Sequence, residues 1–458
     1  MPLVRKLPSI VIALSLSACA TYSPSPLSEG KGAASVAQLT APSAAMSLPT
    51  LPAHPFDPSD GLDVTEVATL AVVNSPDLRV QRDALGLARA QSFAAGLLPD
   101  PQISISGGVP RGSGAGLTKA YSLGISQDLS TLLTLSSRKA AARNEVDKVN
   151  LDLLWAEWQT IAQARLLFDQ VLILSEQQTR LEAEQAALSK VEKYVRMALQ
   201  AGNLTYDAAS AGLNAFADVY KQLATNTIAL NRARTDLRSL LGLAATAPLQ
   251  LTGPLWRTQP TPAQVQTALA DLPQRRPDLL ALQAGYRSQE ATVRAAILAQ
   301  FPALNIGFNT TRDTGNITSD GFTLGITLPL FDRNRGNIAI ARATRQQLKD
   351  TYASRVLTTR SDMQRILADL ATLERERQGL IAHTHELDTA LKHAEKAWDE
   401  GLLNWPIYLA IRSNALLADL DLLAVEQEYA KQSIALQALL GNTNIDISHP
   451  SSTKARMP

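Results

Sequence analysis

Apolar residues recur along this chain with two different periods, and each period occurs twice in the same order. Helical spacing begins near Leu62, with Val64, Val67, Ala68, Ala71 and Val72, and resumes after Asn74-Ser75-Pro76 to about Leu98. Pro99-Asp100-Pro101 stops it, because proline lacks the amide that a helix interior needs. The period then becomes two. Gln102-Ile103-Ser104-Ile105-Ser106 and Tyr121-Ser122-Leu123-Gly124-Ile125-Ser126 alternate polar and apolar residues. So do Leu304-Asn305-Ile306-Gly307-Phe308-Asn309 and Phe322-Thr323-Leu324-Gly325-Ile326-Thr327-Leu328. The alternation predicts four strands in two hairpins, with loops at 110–117 and 311–321. The polar partners are small (Ser, Thr, Gly, Asn), which gives each strand one greasy and one wet face, the pattern of a membrane-barrel wall. A half-buried sheet in a soluble domain shows the same alternation and is the alternative.

Each hairpin is followed by an apolar repeat of seven. From near Ser136 onward, Val146, Leu153, Thr160, Leu167, Leu174, Leu181, Leu188 and Val195 are spaced seven apart, and nothing breaks the pattern before Gly202. Tyr352, Thr359, Ile366, Leu373, Leu380, Leu387 and Ala394 hold the matching positions 199 residues on. A seam sustained this long is coiled-coil packing. About 64 helical residues predict a rod of roughly 95 Å. Each rod ends at a glycine turn, Gly202-Asn203 or Gly401-Leu402, and a second helix returns over about 204–242 and 403–441.

The two halves correspond position by position. Ser75-Pro76-Asp77-Leu78 returns as Arg276-Pro277-Asp278-Leu279, and Tyr121 to Ile125 as Phe322 to Ile326, both at offset 201. Ala201-Gly202-Asn203-Leu204 pairs with Glu400-Gly401-Leu402-Leu403, and Leu240-Leu241-Gly242 with Leu439-Leu440-Gly441, both at offset 199. The period is far longer than a solenoid unit of about 20–50 residues, so the protomer is a tandem duplication. The expected organisation is a signal segment at 1–18, an extended Ser/Pro-rich tether at 19–60, and repeat 1 at 61–242 with hairpin 102–129 and helical hairpin 136–242. A connector follows at 243–275, then repeat 2 at 276–442 with hairpin 303–331 and helical hairpin 334–441, and an irregular tail at 443–458.

Composition narrows the function. Net charge is +1 and charged residues are 19%, so no nucleic-acid partner is expected. No stretch after residue 20 holds eighteen consecutive apolar residues, which rules out a helical membrane span. At the N-terminus Arg5 and Lys6 precede an apolar run from Leu7 to Leu16 and small residues at Ser17-Ala18, the form of an export signal. Leu16-Ser17-Ala18-Cys19 resembles the bacterial lipobox, which implies that Cys19 becomes the acylated first residue; the alternative is a chance cysteine beside an ordinary cleavage site. Ala20, where inner-membrane lipoproteins carry Asp, implies the outer membrane. Acyl chains contribute roughly 0.8 kcal/mol per buried methylene, so several chains hold firmly. Cys19 is the only cysteine and has no internal partner for a disulfide or metal cluster.

Other chemistry is not expected. His383 and His385 are two apart and share no helix face with each other, and His393 lies ten beyond His383, so no metal site is assigned. Gly107-Gly108-Val109-Pro110-Arg111-Gly112 is followed by a strand, not by the helix a phosphate cradle needs. No catalytic constellation is present, so the chain is read as a non-enzyme without cofactor beyond the N-terminal lipid.

Four strands cannot span a bilayer as an open sheet, because two edges would leave unpaired amides and carbonyls in hydrocarbon. Closure takes at least about eight strands, hence more than one chain. Three chains supply twelve strands, and small polar residues on the inner face leave a water-filled lumen.

The lipobox, the two strand hairpins, the heptad rods ending at Gly202 and Gly401, and the repeat resemble the TolC-like outer membrane factors over about residues 60–442. That resemblance implies a mixed α/β membrane protein, a trimeric twelve-stranded β-barrel continued by an α-helical coiled-coil barrel through the periplasm. It implies a passive export duct of a tripartite efflux system, with a periplasmic adaptor and an inner-membrane pump as partners. A type I secretion system and a non-conducting lipid-anchored scaffold are the alternatives. Leu98-Pro99-Asp100-Pro101 also resembles the divalent-metal (CzcC-like) branch.

The barrel residues expected to face lipid are Ile103, Ile105, Leu123, Ile125, Leu304, Ile306, Phe308, Leu324 and Ile326. By the resemblance, Gly202, Asn203, Leu204 and Thr205 at one tip, and Gly401, Leu402, Leu403 and Asn404 at the other, dock the adaptor. Leu204, Leu402 and Leu403 are expected to be exposed there. The family's paired gate carboxylates would fall at Ile407 and Ala410, so the usual acidic ring is missing. Asp399 and Glu400 are candidate replacements, and Trp405 a candidate constriction at the periplasmic entrance.

Overall fold

The structure is a computed structural model that describes residues 22–27, 29–40, 56–112, 116–255, 260 and 262–440. The signal segment, Cys19 and the tail lie outside the described residues. Up to Gly32 the described residues form a unit without regular secondary structure. From Ala33 on, the expected free tether is instead docked. Ala33 bridges to Leu243 in parallel, and Val36 and Leu39, on either side of a short 3-10 turn, pack on the core of the first repeat. Their apolar side chains within a polar stretch account for the docking.

Helix α1 (Val64–Asn74) opens with a capping box, in which the Asp63 carboxylate accepts from the Thr65 and Glu66 amides and Glu66 accepts from the Asp63 amide. Ser75 closes α1 and opens α2 (Pro76–Ala94), with Pro76 at the first helical position, where its missing amide costs nothing. Strands β1 (Gln102–Gly108) and β2 (Ala120–Asp128) follow. Helix α3 (Ser130–Gln200) begins six positions before the expected Ser136, because the Asp128 carboxylate accepts from the Ser130 amide and hydroxyl and turns the strand directly into the helix. Its 71 residues span about 107 Å. Helix α4 (Tyr206–Leu240) returns along it.

The second half repeats this order. The connector carries α5 (Pro262–Ala270) and α6 (Leu272–Arg275), followed by α7 (Pro277–Leu298), β3 (Ala303–Arg312), β4 (Thr318–Thr327), α8 (Arg335–Asp399) and α9 (Trp405–Leu440). Where Ser75 caps α2, Arg276 precedes α7. It donates twice to the Asp278 carboxylate and lies 4.8 Å over the Trp155 ring, which ties the second repeat to α3.

The heptad positions are interior in part, with Val146, Leu153, Tyr352, Leu373, Leu380 and Leu387 only half-buried. Thr160, Leu167, Leu174, Leu181, Leu188 and Val195 of α3 are buried, as are Thr359, Ile366 and Ala394 of α8. Three apolar clusters result. One joins α1, α3 and α4, a second joins the far ends of α3, α4, α8 and α9, and a third joins α5, α6 and α7 to α8 and α9.

The four strands make one antiparallel sheet in the order β1-β2-β3-β4, with the two hairpins joined by the β2–β3 pairing. The second hairpin loop is shorter than the expected 311–321. Thr310 to Arg312 stay paired with Asp320 to Thr318, and the Asp313 carboxylate closes the turn by accepting from the Gly315 and Ile317 amides.

Candidate functional site

Register sorts every strand residue onto one of two faces. The pairs Ile103↔Ile125, Ile125↔Phe308 and Phe308↔Phe322 make one row, and Ile306↔Leu324 and Leu304↔Ile326 continue the same face. All nine residues expected to meet lipid therefore share a face, which Tyr121 and Phe322 extend. The opposite face carries Ser104, Ser106, Ser122, Gly124, Ser126, Asn305, Gly307, Asn309, Thr311, Ser319, Gly321, Thr323, Gly325 and Thr327. Strands of nine or ten residues, as β2, β3 and β4 are, suit a tilted bilayer crossing, which takes about 9–11. The sheet does not close on itself: β1 and β4 each have a partner on one side only. Among the described residues no helix is long and apolar enough to cross a membrane.

At the far end of the rods both turns have the same geometry. Gly202 and Gly401 each sit at φ +71°, a conformation glycine adopts without the strain a Cβ brings. Asn203 N–H donates to Ala198 O and Gly202 N–H to Leu199 O; Leu402 N–H donates to Ala397 O and Gly401 N–H to Trp398 O. This doubled bond satisfies carbonyls that a helix end would otherwise leave open. Gly202, Asn203, Thr205, Gly401, Leu402 and Asn404 are exposed, and the Asn404 side chain accepts from the Ile407 amide to start α9.

Two expectations at the tips are corrected. Leu204 and Leu403 are only half-exposed and pack on the apolar cluster beneath the turns, so of the three tip leucines Leu402, 77% exposed, is the one each chain presents. Trp405 is 7% exposed and fills the space beside Gly212, where a Cβ would stand 2.7 Å from the indole; it is a wedge between helices, not a constriction. Asp399 and Glu400 are exposed, and Glu400 lies 3.9 Å from Lys396, which offsets its charge. Ile407 and Ala410 are exposed as well. His383, His385 and His393 are exposed and separate, and among the described residues no acidic, His or Cys cluster could hold a metal.

Sequence reasoning missed the polar centre of the tip. Arg412 donates from Nε and Nη2 to the Glu184 carboxylate (3.2 and 2.6 Å) and from Nη1 to Glu395 (2.7 Å) and the Tyr408 hydroxyl (3.0 Å). Burial works against the guanidinium charge, but its bonds to Glu184 and Tyr408 outweigh that and hold its pKa above the usual arginine range. Tyr408 stacks on Trp398 at 5.3 Å, and Tyr194 meets Trp398 edge-on. One helical turn farther from the tip than Glu184, Arg180 pairs with Asp419 and Glu176. The signal was present: Trp405, Tyr408, Leu409, Arg412 and Leu416 share one helical face, so Arg412 is a charge at a core position.

Comparison with known proteins shows what this arrangement is similar to. Residues 268–442 match the family profile described as outer membrane efflux protein. That match falls mainly on the second repeat. The chain-wide comparison extends the relation beyond that segment. Pyoverdine export outer membrane protein OpmQ of Pseudomonas putida is 25% identical over 469 aligned positions, covering 96% of this chain and 98% of that protein. Outer membrane protein OprJ of Pseudomonas aeruginosa is 30% identical over 161 residues, 33% of this chain; that match spans about a third of OprJ (34%). The Campylobacter jejuni CmeC outer membrane channel shares the fold, with a TM-score of 0.67 at 16% identity, covering 83% of this chain and 85% of that one. The fold of long helices and short antiparallel strands is thus shared with an outer membrane channel of distant sequence.

Proposed function

We propose that this chain is the outer membrane duct of a tripartite efflux system, a homotrimer whose twelve strands close a membrane barrel and whose rods continue the passage into the periplasm. The observation that carries the reading is the sheet, with one face apolar except at its ends, where Gln127, Arg312 and Asp320 lie, one face of mostly small polar residues, and an unpaired edge on each side. An isolated copy would expose both edges to hydrocarbon at several kcal/mol per unpaired group, which closure with further copies removes. The family relation supports the same reading.

The finer assignments are part of this proposal. Cys19 carries the lipid anchor at the outer membrane. The two tips, with Leu402 as apolar contact and Gly202 and Gly401 as the turns that shape it, dock a periplasmic adaptor, which couples the duct to an inner-membrane pump. Asp399 and Glu400 supply exposed acids beside the mouth, and the 3.9 Å approach of Lys396 to Glu400 makes theirs a weaker field than a paired carboxylate ring. Cargo need not be recognised by such a wall.

Purified protein reconstituted in a planar bilayer tests the duct. Ion conductance from a multimeric assembly is the expected result; a membrane-inserted multimer that never conducts overturns the duct and leaves the scaffold.

A further inference from the structure

We propose that the register of the strand seam between neighbouring copies is set by the internal repeat, with Leu324 of one copy opposite Val109 of the next and Thr327 opposite Ser106. This rests on the multi-copy closure above and specifies its geometry.

The reasoning starts from the pairing inside one chain. Strand β2 of the first repeat joins β3 of the second through Leu123↔Thr310, Ile125↔Phe308 and Ser126↔Gly307. Each β2 residue has its counterpart in or just beyond β4 at 201 positions on, and each β3 residue has its counterpart in or beside β1 at 201 positions back. The free edges β4 and β1 are thus the repeat-equivalents of the two strands already joined. Moving the observed pairs by 201 gives Leu324↔Val109, Ile326↔Gly107, Thr327↔Ser106 and Leu328↔Ile105.

Two observations independent of that transfer agree with it. First, the face assignment survives: Leu324, Ile326, Leu328, Val109 and Ile105 all fall on the apolar side, and Thr327 and Ser106 on the wet side. A slip of one residue would invert the faces. Leu328 and Val109 lie just beyond the ends of β4 and β1, 62% and 72% exposed, yet they continue the alternation. The seam gives both a partner.

Second, the helices beside the two edges obey the same rule. Helix α2 runs into β1 and α8 runs out of β4, while within the chain their repeat-equivalents α7 and α3 pack along each other. The Ser288 hydroxyl donates to Ala141 O in that contact. Moved by the repeat offsets of 201 and 199, this pair becomes Leu87 of one copy against Ile340 of the next. Both are apolar and unpartnered within the chain, at 60% and 66% exposure. An exposed apolar residue on each side, at equivalent positions, is what a second copy of this chain covers.

Disulfide trapping in outer-membrane preparations of the full chain tests the register. Opposed residues of antiparallel strands have Cα atoms about 4.5–5.5 Å apart, within the range a disulfide spans. Within one chain β1 and β4 are three strand spacings apart, about 14 Å, so an intrachain bond cannot form. The variants are Ser106→Cys with Thr327→Cys, the slipped control Ser104→Cys with Thr327→Cys, and the helix pair Leu87→Cys with Ile340→Cys. Wild-type protein, with Cys19 alone, is oxidised in parallel.

The expected result is a ladder of covalent dimer and trimer from the first and third pairs, formed several-fold faster than from the slipped control. Faster trapping of the slipped control overturns the register. Absence of trapping in both proposed pairs, in protein that still runs as a multimer on native gels, overturns the seam and leaves multi-copy closure intact. Protein that inserts and conducts as a monomer overturns both.

Discussion

Arg412 of α9 and Glu184 of α3, 228 positions apart, form a two-bond ion pair buried at the tip end of the rods, with side chains 7% and 8% exposed. It joins the two repeats through a buried charge pair in the tip cluster, and Glu395 of α8 completes it as a third element.

Removing one partner leaves the other charged and buried, so Arg412→Met should destabilise the tip by about 3–5 kcal/mol. Combining it with Glu184→Leu should recover most of that loss, because an apolar pair of similar volume suits the surrounding cluster. Hydrogen exchange at the ends of α3 and α9 reads both effects. Equal loss in the single and double variants would refute the account.

The two leucines of the second tip should behave differently. Leu402→Glu changes an exposed side chain and should leave stability within about 0.5 kcal/mol while adaptor cross-linking falls. Leu403→Glu places a charge against the apolar cluster and should loosen the tip itself. If thermal unfolding fails to separate the two, Leu402 is not the free contact described above.

The strand faces make a matched pair of substitutions possible. Leu324→Arg puts a charge on the lipid face, at about 2–4 kcal/mol near the bilayer midplane, and should impair insertion into liposomes. Thr323→Arg, its neighbour on the wet face, should insert normally and lower single-channel conductance. Reversal of the two outcomes would invert the face assignment.

Gly212 of α4 leaves room for the Trp405 ring, since a Cβ there would stand 2.7 Å from the indole. Gly212→Leu should therefore overpack the wedge at about 1–3 kcal/mol. Gly202→Ala should cost less, about 1 kcal/mol, because its Cβ would meet open space and only the positive φ opposes it. Hydrogen exchange at the turns ranks the two.

These sites show how far the sequence could be read. Strand faces were legible because a period of two leaves no freedom once Ile125 is placed against Phe308. The glycine turns were legible because chirality restricts which residues sit at positive φ. Arg412 was legible only as a charge among the apolar residues of its own helix face; a heptad count follows apolar residues along a single helix and passes over it, because its partners Glu184 and Glu395 lie on two other helices. The docking of Ala33, Val36 and Leu39 was hidden for a related reason: a short apolar set in a polar stretch has no period of its own.

Acylation of Cys19 rests on its lipobox alone. Cys19→Ser should abolish metabolic palmitate labelling while the strands and rods still assemble, because the sheet does not depend on the anchor. Persistent label would refute the assignment.

The wet face of the sheet, built from serine, threonine, glycine and asparagine, has one more consequence. Side chains this short and interchangeable offer a passing solute no shape to match. Discrimination must occur where cargo is loaded, so the same walls can serve a new cargo when only the loading machinery changes. Sequence drift along these strands should then track the lipid they sit in, and leave no trace of the compounds that have crossed them.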